Sequence, residues 1–189
     1  MKGSYFSLYE WLVIVLLALC GALVNVYLPV KALAEGLNIP GPAAGMALLG
    51  GFIFVVWVSL GRRLTGKRYA GLIIAVLLAS FCLFLRPWYG VVSPSWFSIY
   101  GILALFALGF WVELIQGRWE VVGGGLGNLF CLGITWLALG LHLHVWAPAK
   151  FAPLLLFASF LSGAVGVLLA RFVGGLVGGS AMMKRPYRG

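Results

Sequence analysis

The stretch GFIFVVWVSLGRRLTGKRYAGLIIAVLLA, residues 51–79, holds two apolar runs separated by Arg62, Arg63, Lys67 and Arg68. A helix needs about 20 apolar residues to cross the hydrocarbon core of a bilayer, with roughly 17 to 25 tolerated. Cations are costly inside that core, so these four mark a turn at a membrane surface and the stretch reads as a hairpin of two membrane helices. The rest of the chain agrees: 63% of its 189 residues are hydrophobic and only 9% charged, with mean hydropathy +1.09, where a soluble domain carries about 25% charged residues. An all-α, polytopic membrane protein is expected, with the lipid bilayer as its main partner and the cell membrane as its place.

Working outward from the hairpin, six runs are long enough to span, approximately 9–30, 44–60, 69–86, 97–116, 121–143 and 151–173, forming a single transmembrane domain over 1–189. With six spans the connections alternate sides, and Lys and Arg favour the cytoplasmic one. Lys2, the four cations of the hairpin, Arg118, Lys184, Arg185 and Arg188 fall on one side; Lys31, Arg86 and Lys150 fall on the other; Arg171 lies inside the sixth run. Nine against three places both termini and the 61–68 turn in the cytoplasm.

The net charge of +9 does not indicate nucleic acid, because a nucleic-acid binder gathers its Lys and Arg on one continuous face and here they stand in short clusters between apolar runs. Those clusters read as anchors, or as docking points for anionic headgroups or an acidic partner. The first apolar run, roughly Trp11 to Val30, is too long for a signal-peptide core and lacks a convincing cleavage site, so it reads as a membrane helix. Cys20, Cys82 and Cys131 are odd in number, lie in apolar runs and show no CxxC spacing, which makes them buried thiols rather than a metal or redox site.

The outer connections differ in character from the inner ones. The first, VKALAEGLNIPGPAAG (Val30 to Gly45), carries Asn38, Pro40 and Pro42 and reads as an ordered excursion rather than a tight turn. Arg86 to Trp96 and His142 to Lys150 are rich in aromatics, which accumulate at membrane interfaces. Between helices, small residues four apart recur at Ala18 and Ala22, Ala47 and Gly51, Gly123 and Gly127, and Gly174 and Gly178. They allow backbones to approach closely, within the chain or against a partner.

Polar chemistry is sparse. There is no Asp, and of the four glutamates only Glu113 lies clearly inside a span, where Arg118 or Arg171 is its expected partner. His142 and His144 are two apart, with no carboxylate nearby to complete a metal site. No Ser stands in a GxSxG turn and no His-Asp pair exists to activate one. Neither a catalytic activity, a metal nor a cofactor is expected.

Six spans, cytoplasmic termini, a long first outer loop and small residues four apart in LALCGALVN, together with LNIPGPAAGM and the 51–79 hairpin, resemble the substrate-binding S components of energy-coupling factor vitamin transporters. The hairpin looks most like the branch associated with thiamine precursors. The resemblance implies a vitamin-like small-molecule ligand on the outer face, and as partners a transmembrane coupling subunit with an ATPase pair. It places the docking positions at Ala18 and Ala22 and part of a lid at Asn38 to Ala44. Its ligand-binding candidates are Asn38, Trp88, Tyr89, Trp96, Tyr100, Thr135, His142, His144 and Trp146, because aromatic rings stack on flat heterocycles while a few polar groups orient them. The sequence departs from the thiamine-type pattern in lacking an acidic residue in the outer half of the fourth run, which leaves the ligand class open. A membrane scaffold subunit, and a small channel or lone secondary transporter, are the competing readings, although no inverted repeat or intramembrane charge ladder is visible.

Overall fold

In a computed structural model that describes residues 5–28, 36, 43–85 and 95–182, the chain is all-helical, with no strand among these residues. Six principal helices follow the six runs: α1 Leu8–Tyr27, α2 Ala44–Thr65, α3 Ala70–Leu85, α4 Ser98–Leu114, α5 Glu120–Leu143 and α6 Ala152–Met182. Four of them, α1, α2, α5 and α6, are long and apolar enough to cross a membrane; α3 and α4 are shorter apolar helices.

Local chemistry fixes the ends. Ser7 and Glu10 form a capping box, the Ser7 amide donating to Glu10 Oε2 at 2.7 Å and the Glu10 amide to Ser7 Oγ at 3.3 Å, which satisfies amides that open a helix. At the far end of α2, Gly66 takes φ 63° and its amide donates to the Arg62 carbonyl, the left-handed stop that glycine adopts without penalty. α2 runs beyond the expected residue 60 to Thr65, since Arg62 and Arg63 are ordinary helical residues whose long side chains carry the charge away from the axis. α6 likewise passes the expected residue 173 to Met182. Arg171 lies within it, its guanidinium reaching Glu120 and the Gly117 carbonyl.

α2 lies at the centre of the bundle: 72% of its most apolar window is buried, against 28–39% in α1, α5 and α6. It packs on α1, α3 and α6, while α3 lies against α1 and α4, α4 against α5, and α5 against α6. Midway, residues Gly51–Val55 loosen into a π-helical segment, an irregularity that frees backbone groups within the helix. Ser162 of α6 receives them, accepting from the Gly51 amide at 3.0 Å and donating to the Leu48 carbonyl at 2.7 Å. A Cβ on Gly51 would stand 1.7 Å from the Ser162 carbonyl oxygen, and one on Gly163 would stand 2.2 Å from that of Gly124. The three helices therefore meet backbone to backbone, the contact that replaces hydrophobic drive where lipid surrounds a bundle. Ala47 and Gly51 face α6 and Gly123 and Gly127 face α4, so both pairs serve internal packing. Large apolar side chains such as Phe52, Phe106, Phe157 and Phe172 remain exposed on the outside, as a lipid-facing surface requires.

Candidate ligand-binding site

α2 opens, α3 ends, α4 starts, α5 ends and α6 starts at the same end of the bundle, where Trp96, Tyr100 and His142 lie together among the described residues. Trp96 lies in a 3-10 turn, Ser95–Phe97, that leads into α4, and Tyr100 sits one turn further. His142 occupies the last turn of α5. The structure brings these three together. The Trp96 and His142 rings stack with centroids 4.6 Å apart and planes 26° from parallel. Tyr100 meets His142 edge-on at 5.3 Å, and its hydroxyl lies 2.9 Å from His142 Nε2. The hydroxyl donates to that nitrogen in one imidazole tautomer and accepts from it in the other. The cluster is held by rings and one hydrogen bond, and His142 is exposed while Trp96 and Tyr100 are half-buried.

The other candidates take different places. His144 adopts φ 55° as the left-handed cap of α5, which turns the chain away from the helix, so the two histidines do not form a pair. Trp146 folds back over Gly140, where a Cβ would meet the indole at 2.5 Å, and remains 58% exposed. Thr135 lies two turns below His142 on the same helical face. It is buried, with its hydroxyl donating to the Cys131 carbonyl at 2.9 Å, and this local bond occupies the donor expected to orient a ligand. Asn38, Trp88 and Tyr89 lie outside the described residues, as does the lid segment up to residue 42. Among the described residues no group of three His, Cys, Asp or Glu side chains is placed to hold a metal ion.

Ala18 and Ala22 are fully buried in the main core cluster with Ile74, Leu78 and Ala79 of α3. They form an internal face of the bundle, with no surface at either position for a partner in this arrangement.

The opposite end corrects the expected partner of Glu113. Its carboxylate accepts from the Gly71 amide at 2.8 Å and faces Arg62 Nε at 3.5 Å, while Arg118 lies over the Trp119 ring and Arg171 belongs to Glu120. Glu120, its side chain only 7% exposed, takes both arms of the Arg63 guanidinium, with Nε to Oε1 at 3.1 Å, and also Arg171 at 3.4 Å. Sequence reasoning missed this network because it treated the hairpin cations as surface anchors. The available signal was spacing: Glu113 and Glu120 flank the short α4–α5 turn at the same end as Arg62 and Arg63, and a carboxylate near a membrane span needs a cation.

No family model, curated protein or solved structure gives a significant match to this chain.

Proposed function

We propose that the chain is a six-span membrane protein that captures a small, flat, vitamin-like molecule at the end of the bundle carrying Trp96, Tyr100 and His142. Both termini and the 61–68 turn lie in the cytoplasm in this reading, supported by the nine-to-three distribution of Lys and Arg. α3 and α4, short for a span, cross nearly upright or draw on their flanks. The observation that carries the function is the convergence of two aromatic rings and an imidazole from separate helices at one exposed end. Ring faces supply stacking, and the Tyr100–His142 pair supplies a donor and an acceptor that exchange roles with the tautomer, the composition small-ligand sites use. Among the described residues the cluster carries no carboxylate, which favours a neutral or weakly charged heterocycle.

Release of such a ligand inward calls for a partner that moves the bundle. A transmembrane coupling subunit with an ATPase pair is the partner the family resemblance supplies, and with Ala18 and Ala22 buried its docking face lies elsewhere on the bundle.

The reading is tested by mass spectrometry of small molecules released from gently purified protein. A heterocycle present with the wild type and depleted from His142→Ala supports it; equal recovery from both proteins, or none from either, contradicts it. Topology is tested separately by a single cysteine at Thr65, with Cys20, Cys82 and Cys131 replaced. Protection from an impermeant reagent in intact cells is expected, and labelling there reverses the orientation.

A further inference from the structure

The turns at the 61–68 end leave a cleft of about 250 Å³ whose walls include Arg62, Arg63, Lys67, Arg68, Gln116 and Glu120. Four cations and one carboxylate line the cleft, and the oxygens of that carboxylate are already taken by Arg63 and by Arg171. Among the described residues, Glu10 of α1 is the one further carboxylate that acts on Lys67. The potential inside the cleft is therefore positive even after the ion pairs of the bundle are counted. Arg62 is turned toward Glu113 and the Val112 carbonyl, so it contributes charge more than free donors.

Lys67 and Arg68 are held differently. Lys67 Nζ lies 5.4 Å above the Tyr5 ring, and the Arg68 guanidinium lies 5.4 Å from the Tyr69 ring. Contacts with ring faces position a cation without consuming its hydrogen-bond donors. The backbone around them is constrained as well. Gly66 and Tyr69 both adopt positive φ, 63° and 67°, and bracket the two cations. Tyrosine has none of glycine's freedom in that region, and strain of this kind is characteristic of ligand clamps. A turn serving only to anchor two helices needs neither a strained tyrosine nor a cavity, since long basic side chains reach the interface from many positions.

We propose that this cleft is a binding site for a phosphate group, with Lys67 and Arg68 as its principal donors. Phosphate fits the observations because guanidinium forks match its oxygens and several cations can neutralise a doubly charged group. The same chemistry is offered by a phospholipid headgroup at the inner membrane surface and by a soluble phosphate compound. The site lies at the opposite end from the aromatic cluster and does not depend on the ligand reading above.

The test uses the full chain in lipid discs, with two arms. In zwitterionic discs, inorganic pyrophosphate is titrated by calorimetry; in discs containing phosphatidic acid, native mass spectrometry counts lipids that stay bound on release. Saturable binding is expected in at least one arm: pyrophosphate binding identifies a soluble phosphate, and lipid retention alone identifies a headgroup. Lys67→Ala combined with Arg68→Ala should weaken binding by about thirty-fold, each basic residue near an anionic surface contributing about a factor of five. Lys67→Gln with Arg68→Gln, which keeps the length of the stems, should do the same. Arg118→Ala, a cation of the same side outside the cleft, should leave binding unchanged. Absence of saturable binding in both arms, or an equal loss from Arg118→Ala, overturns the proposal.

Discussion

The two ends of this bundle solve the same problem with opposite chemistry. At the 61–68 end, helices α2, α4, α5 and α6 are tied by ion pairs, with Glu113 and Glu120 sunk among Arg62, Arg63 and Arg171. At the other end, α4 and α5 meet through the Trp96–His142 stack and one Tyr100 hydrogen bond. A buried charge that loses its partner is expensive, so the first kind of contact locks its elements. Stacked rings at an exposed edge lose little when one ring is exchanged for another flat group. The difference separates an end tied by buried ion pairs from an end joined by exposed rings.

The largest expected effect breaks the comparison altogether, because Gly51 lies midway along α2, where it meets α6 backbone to backbone. Gly51→Ala forces a Cβ toward the Ser162 carbonyl and should cost more than about 4 kcal/mol, the exceptional range for single substitutions. Loss of a monodisperse protein in detergent would register it, and a normally folded variant would show that the helices do not touch as described.

Next in size, Glu120→Ala leaves Arg63 and Arg171 without their carboxylate. Removing one member of a buried pair costs about 3 to 5 kcal/mol, and the low end applies because both guanidinium side chains are about one-third exposed. A fall in thermal stability with unchanged behaviour at the aromatic end would sharpen the distinction between the two. Coupled loss at both ends would erase it.

How much of this was legible in the sequence follows the same division. The helices were, because long apolar runs bounded by cations leave few alternatives, and the observed starts and ends fall close to the expected ones except where α2 continues past the expected residue 60 to Thr65 and α6 past the expected residue 173 to Met182. At α2 the cause is that Arg62 and Arg63 find carboxylates, stay helical and do not mark a boundary. The pairing of Arg62 with Glu113 and Arg63 with Glu120 spans 51 and 57 positions of chain, and only the packing of α2 against its neighbours selects it over Arg118. Trp96 and Tyr100 were readable as one face from their spacing. His142 was a candidate at the same end, but that its ring stacks on Trp96 and that Thr135 bonds to its own helix were not readable, since both depend on how α5 is rotated against α4. Ala18 and Ala22 suited either a partner or a neighbouring helix, and α3 fills that face.

The smallest expected change sharpens the aromatic end. Thr135→Val removes a hydroxyl bonded only within its own helix and should alter stability by less than about 1 kcal/mol and ligand recovery not at all. A large drop in recovery would move the site two turns deeper into the bundle than the aromatic cluster.

The most direct test of the central claim is the affinity of Trp96→Ala for the molecule recovered from wild-type protein, measured by calorimetry in lipid discs. If the ligand stacks on the ring that now lies against His142, binding should weaken by roughly 1 to 3 kcal/mol, the range for stacking of bases on aromatic side chains, while thermal stability of the free protein changes little. Affinity within a few tenths of a kcal/mol of wild type would make Trp96 an interfacial anchor and contradict the assignment of this end as the site of capture.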